Sequence, residues 1–126
     1  MQKKTILLDF DGTVVEHKFP SIGALLPNVK NVIDQLRKKQ HTIILNTYRI
    51  NLSYDTDDIT FSECVEFLFN NDILYDGQVY MKKTPTPWNL DDDFIYIDDL
   101  TSEIPMLGAV VDWFSVEKEL KEKGII

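Results

Sequence analysis

Short apolar runs alternate along this chain with stretches whose apolar residues recur at helical spacing. Strand-like runs fall at Thr5–Asp9, Thr42–Leu45, Gln78–Met81, Phe94–Ile97 and Ala109–Asp112. Between them, Asn28–Lys39 sets Val29, Val32, Ile33 and Leu36 on one helical face, with Pro27 near its start. Thr60-Phe61-Ser62-Glu63 reads as a capping box that opens a helix running to Asn70. Thr101–Leu107 can hold a short helix limited by Pro105, and Ser115–Lys123 a last one with Gly124 at its C′ position. Strands that alternate with helices predict a parallel sheet covered on both faces.

Composition narrows the class without naming an activity. A chain of 126 residues supports one domain, residues 1–126, and no repeat, linker or low-complexity tract divides it. Hydrophobic content of 44% and charged content of 27% are those of an ordinary globular protein. A formal net charge of −8 argues against nucleic acid held on a broad basic surface, and against an anionic membrane. It leaves phosphorylated small molecules open, because a local cation reverses the field where it counts. The apolar runs, Ile43-Ile44-Leu45 among them, are too short to span a bilayer. Met1–Thr5 lacks the apolar region of a signal peptide, and the lone Cys64 cannot form an internal disulfide, so the cytoplasm is the expected compartment.

The candidate chemistry sits at the strand ends. In Asp9-Phe10-Asp11-Gly12-Thr13 the two acids lie on one side of an extended backbone, because side chains in a strand repeat every two residues. Paired carboxylates repel unless a cation separates them or one is protonated. Gly12 lets the chain turn sharply and present N–H groups to an anion. The second strand ends in Asn46-Thr47-Tyr48-Arg49, Lys82 and Lys83 follow the third, and the fourth ends in Asp98-Asp99. Ligands of open parallel sheets bind beyond the carboxyl ends of the strands, so four such ends agree on one edge.

In these residues, taken in order, the chain resembles the haloacid dehalogenase superfamily of phosphoryl-transfer enzymes. The resemblance implies a Rossmann-like three-layer α/β/α sandwich, with a mainly parallel sheet of about five strands and no cap domain. It implies Asp9 as nucleophile forming an aspartyl-phosphate and Asp11 as general acid and base. Mg²⁺ would be held by Asp9, the Asp11 carbonyl, Asp98 and Asp99. Thr47 and the backbone N–H groups of Phe10, Gly12 and Thr13 would bind the phosphoryl oxygens, with Lys83 or Lys82 as the fixed cation. Arg49 could hold a second anionic group of the substrate, or pair with a nearby acid. An acid at position 11 favours a phosphatase or phosphomutase over the dehalogenases and transport ATPases. The structural alternatives are that Thr47 caps the following segment and that Asp98 and Asp99 cap the Thr101 segment.

The gaps between motifs are too short for a cap. Val14–Pro27 suffices for a hairpin-like flap, and from Thr47 to Lys83 one helix and one strand fill the sequence. The closest resemblance is therefore to small bacterial capless hydrolases, which also carry a Glu-His pair after the first motif. An open site leaves a large substrate, or a neighbouring subunit of a homo-oligomer, to cover it. Loop Asn51–Ile59 is a candidate for either contact. His17 reads as an exposed loop residue near the entrance, His41 as structural, Trp88 and Trp113 as core or interface, and Cys64 as core. The expected activity is Mg²⁺-dependent hydrolysis of a small phosphomonoester such as a sugar phosphate. The rivals are a phosphate- or Mg²⁺-binding regulatory module without turnover, and a nucleic-acid end phosphatase, which the net charge disfavours.

Overall fold

The computed structural model describes residues 2–126. Four strands make the main sheet: β1 (Thr5–Leu8), β2 (Thr42–Leu45), β3 (Gly77–Gln78) and β4 (Phe94–Ile97), in the order β3-β2-β1-β4 with all neighbours parallel. The central pairing sets Leu8 beside Leu45 and Ile97, so β1, β2 and β4 end at the same level. The helices are α1 (Val29–Lys38), α2 (Tyr48–Leu52), α3 (Thr60–Asn70) and α4 (Trp113–Glu122).

Alternation along the strands divides the sheet residues between two cores. Ile6, Leu8, Ile43, Leu45, Ile95 and Ile97 join the buried faces of α1, α3 and α4 in the larger one. Leu7 turns the other way, onto Ile50 of α2 and Val79, with Ile44 and Tyr96 only half-buried beside it. The sheet therefore lies between a thick helical layer and a thin one made of α2 and the chain after β3. Buried His41 fastens β1 to the C-terminal end. Its Nδ1 accepts from Lys4 N (2.9 Å), which leaves Nε2–H to donate to the Ile125 carbonyl (2.9 Å).

The α/β class and the mainly parallel sheet match the sequence-based expectation, and several elements differ in detail. The expected fifth strand of the sheet is instead half of a separate antiparallel hairpin, β5 (Met106–Leu107) with β6 (Val110–Val111). Gly108, at φ +65°, reverses the chain, and Val111 N donates to the Gly12 carbonyl (3.1 Å), docking the hairpin on the loop after β1. No helix forms over Thr101–Leu107, because Pro105 cannot donate within a helix and β5 begins at the next residue. The third strand is Gly77–Gln78 rather than Gln78–Met81. Thr60 begins α3 but does not cap it. Asp58 accepts from both Thr60 N (2.8 Å) and Thr60 Oγ1 (2.6 Å). Asp112 caps α4 by accepting from Phe114 N and Ser115 N, so that helix starts at Trp113, two residues early. Gly124 stands past its end at φ +74°, as the sequence predicts.

Residues 14–27 form the flap: Glu16 N bonds to Ala24 O (2.9 Å) and Leu26 N to Val14 O (2.9 Å). Between Thr47 and Lys82 lie only α2, α3 and β3, so among the described residues nothing is inserted above the sheet. No helix of the described chain is long and apolar enough to cross a membrane.

Candidate active site

Because β1, β2 and β4 stop at one level, Asp9, Asn46 and Asp98 emerge side by side. Carboxylate oxygens of Asp9, Asp98 and Asp99 all lie within 4.8 Å of one another. Asp9 and Asp98 are 4% and 0% exposed, a costly place for negative charge. Lys82 answers part of it, with Nζ 3.1 Å from Asp9 Oδ1 and 3.4 Å from Asp98 Oδ2. Burial holds the carboxyls of Asp9 and Asp98 above the ordinary carboxylate range, with Lys82 opposing and the neighbouring acids adding to the rise. Burial alone would lower the Lys82 pKa, but the two carboxylates outweigh it and raise it.

Thr13 and Gly12 join the first and fourth strand ends. The Thr13 hydroxyl donates to Asp9 Oδ2 (3.0 Å) and accepts from Asp99 N (3.0 Å). Trp113 Nε1 donates to the Thr13 carbonyl (2.6 Å), so a buried ring of α4 pins this loop from behind. Gly12 has φ +77°, and a Cβ there would overlap the His17 ring and lie 2.9 Å from Asp99 Oδ2. Any side chain at position 12 is thus both strained and obstructed. His17 contributes more than an exposed loop residue would: its Nε2 lies 3.3 Å from Asp99 Oδ2 and 3.0 Å from the Ala109 carbonyl.

Three of the expected site assignments change. The inward lysine is Lys82, whereas Lys83 is exposed. Buried Asn46 fixes this choice: its Oδ1 accepts from Lys83 N (2.8 Å) and its Nδ2 donates to Lys83 O (3.0 Å). Asn51 Oδ1 accepts from Lys82 N (2.9 Å), so the backbone is held at both lysines. Lys82 then turns its ammonium onto Asp9 and Asp98, while the Lys83 side chain stays exposed at the edge of the neighbouring cavity.

Arg49 is the second change. Its side chain is 0% exposed and cannot reach a substrate. It forks onto Asp11, with Nε to Oδ2 and Nη2 to Oδ1 both 2.8 Å, and donates to the carbonyls of Pro20, Ser21 and Thr60 (3.2, 2.8 and 3.1 Å). All five N–H groups are used, and the guanidinium lies over the rings of Phe10 and Phe19. Asp11 is accordingly held toward Arg49 and not toward the Asp9 cluster.

The third change concerns the loop N–H groups. Gly12 N bonds to Val15 O (2.8 Å) and Thr13 N to Phe10 O (3.1 Å), so neither is free for a phosphoryl oxygen. The Phe10 backbone N–H beside the Asp9 carboxyl opposes, as the smallest influence, the rise that burial causes there, while the Phe10 ring is buried edge-on against Phe67. Thr47 caps α2, its Oγ1 accepting from Arg49 N (3.2 Å), which leaves its hydroxyl proton free to donate.

The acid cluster fits a hard divalent cation. Asp98 Oδ1 accepts from Leu100 N (2.9 Å), but Oδ2 is buried and makes no hydrogen bond. A buried carboxylate oxygen that makes no hydrogen bond among the described residues and has only the Lys82 ammonium at 3.4 Å, within a cluster of three carboxylates, is a donor set open to a hard divalent cation.

The chain matches no protein-family model, and no curated protein sequence matches it. Among solved structures it is similar to that of a conserved protein from Bacteroides thetaiotaomicron, with a TM-score of 0.67 and 24% identity over 97% of this chain and 93% of that one. That likeness shows the shared α/β fold.

Proposed function

We propose that this chain is a Mg²⁺-dependent phosphomonoester hydrolase that works through an aspartyl-phosphate on Asp9. The observation that carries the reading is the meeting of Asp9, Lys82, Asp98, Asp99 and Thr13 at one sheet edge, with Asp98 Oδ2 buried and making no hydrogen bond among the described residues. Asp9, Asp98, Asp99 and the Asp11 carbonyl would hold Mg²⁺, which would supply positive charge to offset repulsion between carboxylate and phosphate. An Asp9 carboxylate oxygen bonds to phosphorus as the bond to the leaving oxygen breaks, and the leaving oxygen takes a proton from Asp11. Water then attacks the aspartyl-phosphate, Asp11 accepts its proton, and phosphate leaves with Asp9 restored. Lys82 neutralises the charge around Asp9 throughout, and the Thr47 hydroxyl would donate to a phosphoryl oxygen. To reach the leaving group, Asp11 has to turn one oxygen away from Arg49.

Asp9→Asn removes the nucleophile but keeps the side-chain shape. Turnover of a generic aryl phosphate with Mg²⁺ should vanish in this variant while its circular dichroism stays native. Undiminished turnover in a folded Asp9→Asn protein would falsify the mechanism. The hold of Arg49 on Asp11 favours one second reading, a phosphate- and Mg²⁺-binding module without turnover. Binding of phosphate with Mg²⁺, together with no hydrolysis across a broad ester panel, distinguishes it.

A further inference from the structure

Beside the acid cluster lies a cavity of about 380 Å³ lined by Tyr48, Asn51, Lys82, Lys83, Thr84, Pro85 and Leu100. This volume is enough for a ring-sized group. Lys82 lines this cavity and also pairs with Asp9, so the cavity adjoins the acid cluster and has room for a group attached to a phosphoryl bound there. Two large apolar surfaces in it are left uncovered: Tyr48 is 55% and Leu100 72% exposed. Its other cation, Lys83, is exposed, and among the described residues its Nζ makes no ion pair or hydrogen bond. Asn46 holds the Lys83 backbone on both sides, so this cation sits on a rigid mount while its side chain remains free. In a protein of net charge −8, an unpaired lysine next to the site is a local exception to the field.

We infer that this cavity is the leaving-group site, and that it takes a phosphomonoester of a ring-bearing alcohol with a second anionic group, the ring resting on Tyr48 and Leu100 and the anion on Lys83. The inference rests on the phosphomonoester reading and deepens it.

The test compares phenyl phosphate with 4-carboxyphenyl phosphate and 4-(phosphonomethyl)phenyl phosphate, which separates a carboxylate from a phosphonate as the second anion. The wild type should prefer at least one doubly anionic ester in kcat/KM. Lys83→Ala should lower that preference about three- to fivefold, the size of an exposed ion pair. Lys118→Ala makes the same charge change on α4 and should keep the wild-type ratio. Tyr48→Ala should weaken all three aryl esters about fivefold or more relative to glycerol phosphate. The inference is overturned if Lys83→Ala leaves the ratio unchanged, or if Lys118→Ala lowers it equally. If no ester is turned over, the hydrolase reading falls by itself. The cavity is then judged by calorimetric binding of phenylphosphonate and 4-carboxyphenylphosphonate with Mg²⁺, where equal affinities in wild type and Lys83→Ala overturn it.

Discussion

Replacing Arg49 by methionine removes a cation that makes five hydrogen bonds from a fully buried position. Two go to Asp11 and three to the carbonyls of Pro20, Ser21 and Thr60, so one side chain ties the flap, the loop after β1 and the start of α3 together. Removing one partner of a buried ion pair costs about 3–5 kcal/mol. The Asp11 side chain keeps 19% exposure, and water eases its loss toward the lower end of that range. Three orphaned carbonyls add to the cost by about 1 kcal/mol in all, once flap relaxation is allowed for. Arg49→Met should therefore destabilise by about 4 kcal/mol. Arg49→Lys keeps the charge and loses the fork, and should destabilise by about 2 kcal/mol. Urea denaturation read by tryptophan fluorescence and circular dichroism measures both. A cycle with Asp11→Ala should return a coupling of about 2 kcal/mol. A loss under about 1 kcal/mol for Arg49→Met, or a coupling below about 0.5, would refute the claim that this pair is buried and mutually dependent.

Three further outcomes follow from the geometry. Lys82→Ala should lower aryl phosphate kcat at least about a hundredfold, because it removes the one cation touching Asp9 among the described residues, and an equal loss in Lys83→Ala would contradict the lysine assignment. Mg²⁺ at a hundredfold excess over its dissociation constant should add about 2.7 kcal/mol and raise Tm by about 5–10 °C. EDTA should reverse that rise and Asp98→Asn remove most of it, so a wild-type Tm indifferent to Mg²⁺ would count against the acid cluster as a cation site. Glu117 accepts hydrogen bonds from Asn28, Gln35, Lys121 and Asn31, which lower its pKa from 4.5 to about 2. The stability it gives is complete above pH 4.5 and lost as pH falls toward 2, and Glu117→Gln should cost about 1 kcal/mol at pH 7, discounted for its surface position, and nothing near pH 2. A pH-independent difference between the two proteins would show that the hydrogen bonds do not depend on the charge.

Local signals carried most of the fold. Period-two and helical spacings located β1, β2, β4 and α1 with small errors, because each buries one face against the same core. The strand predicted at Ala109–Asp112 failed for a reason its residues cannot show. Val110 and Val111 are good strand formers, but Gly108 reverses the chain before them and Met106–Leu107 is the partner within reach. The position of Asp9 beside Asp98 and Asp99 was legible because parallel strand ends converge wherever such a sheet forms. The choice between Lys82 and Lys83 was not, since it depends on an amide 37 residues away in sequence, on Asn46. An asparagine at the end of an apolar strand, just before a candidate phosphate-binding threonine, was the available signal. For Arg49 the sequence left a substrate anion and a nearby acid as equal partners, and only tertiary structure reveals that Asp11 and three carbonyls surround it.

The two-sided grip of Asn46 on Lys83 also bears on how such a chain can diversify. Upstream of that grip, the length of chain between β3 and Lys82 sets which residue meets Asp9. Downstream, Thr84 and Pro85 shape the neighbouring cavity and hold no part of the acid cluster. Under the proposed hydrolase reading, substitutions and length changes there would alter what fits beside the phosphoryl group while the acid cluster keeps its geometry. A single side-chain amide thus separates a stretch of sequence that has to stay constant from one that is free to drift toward new substrates.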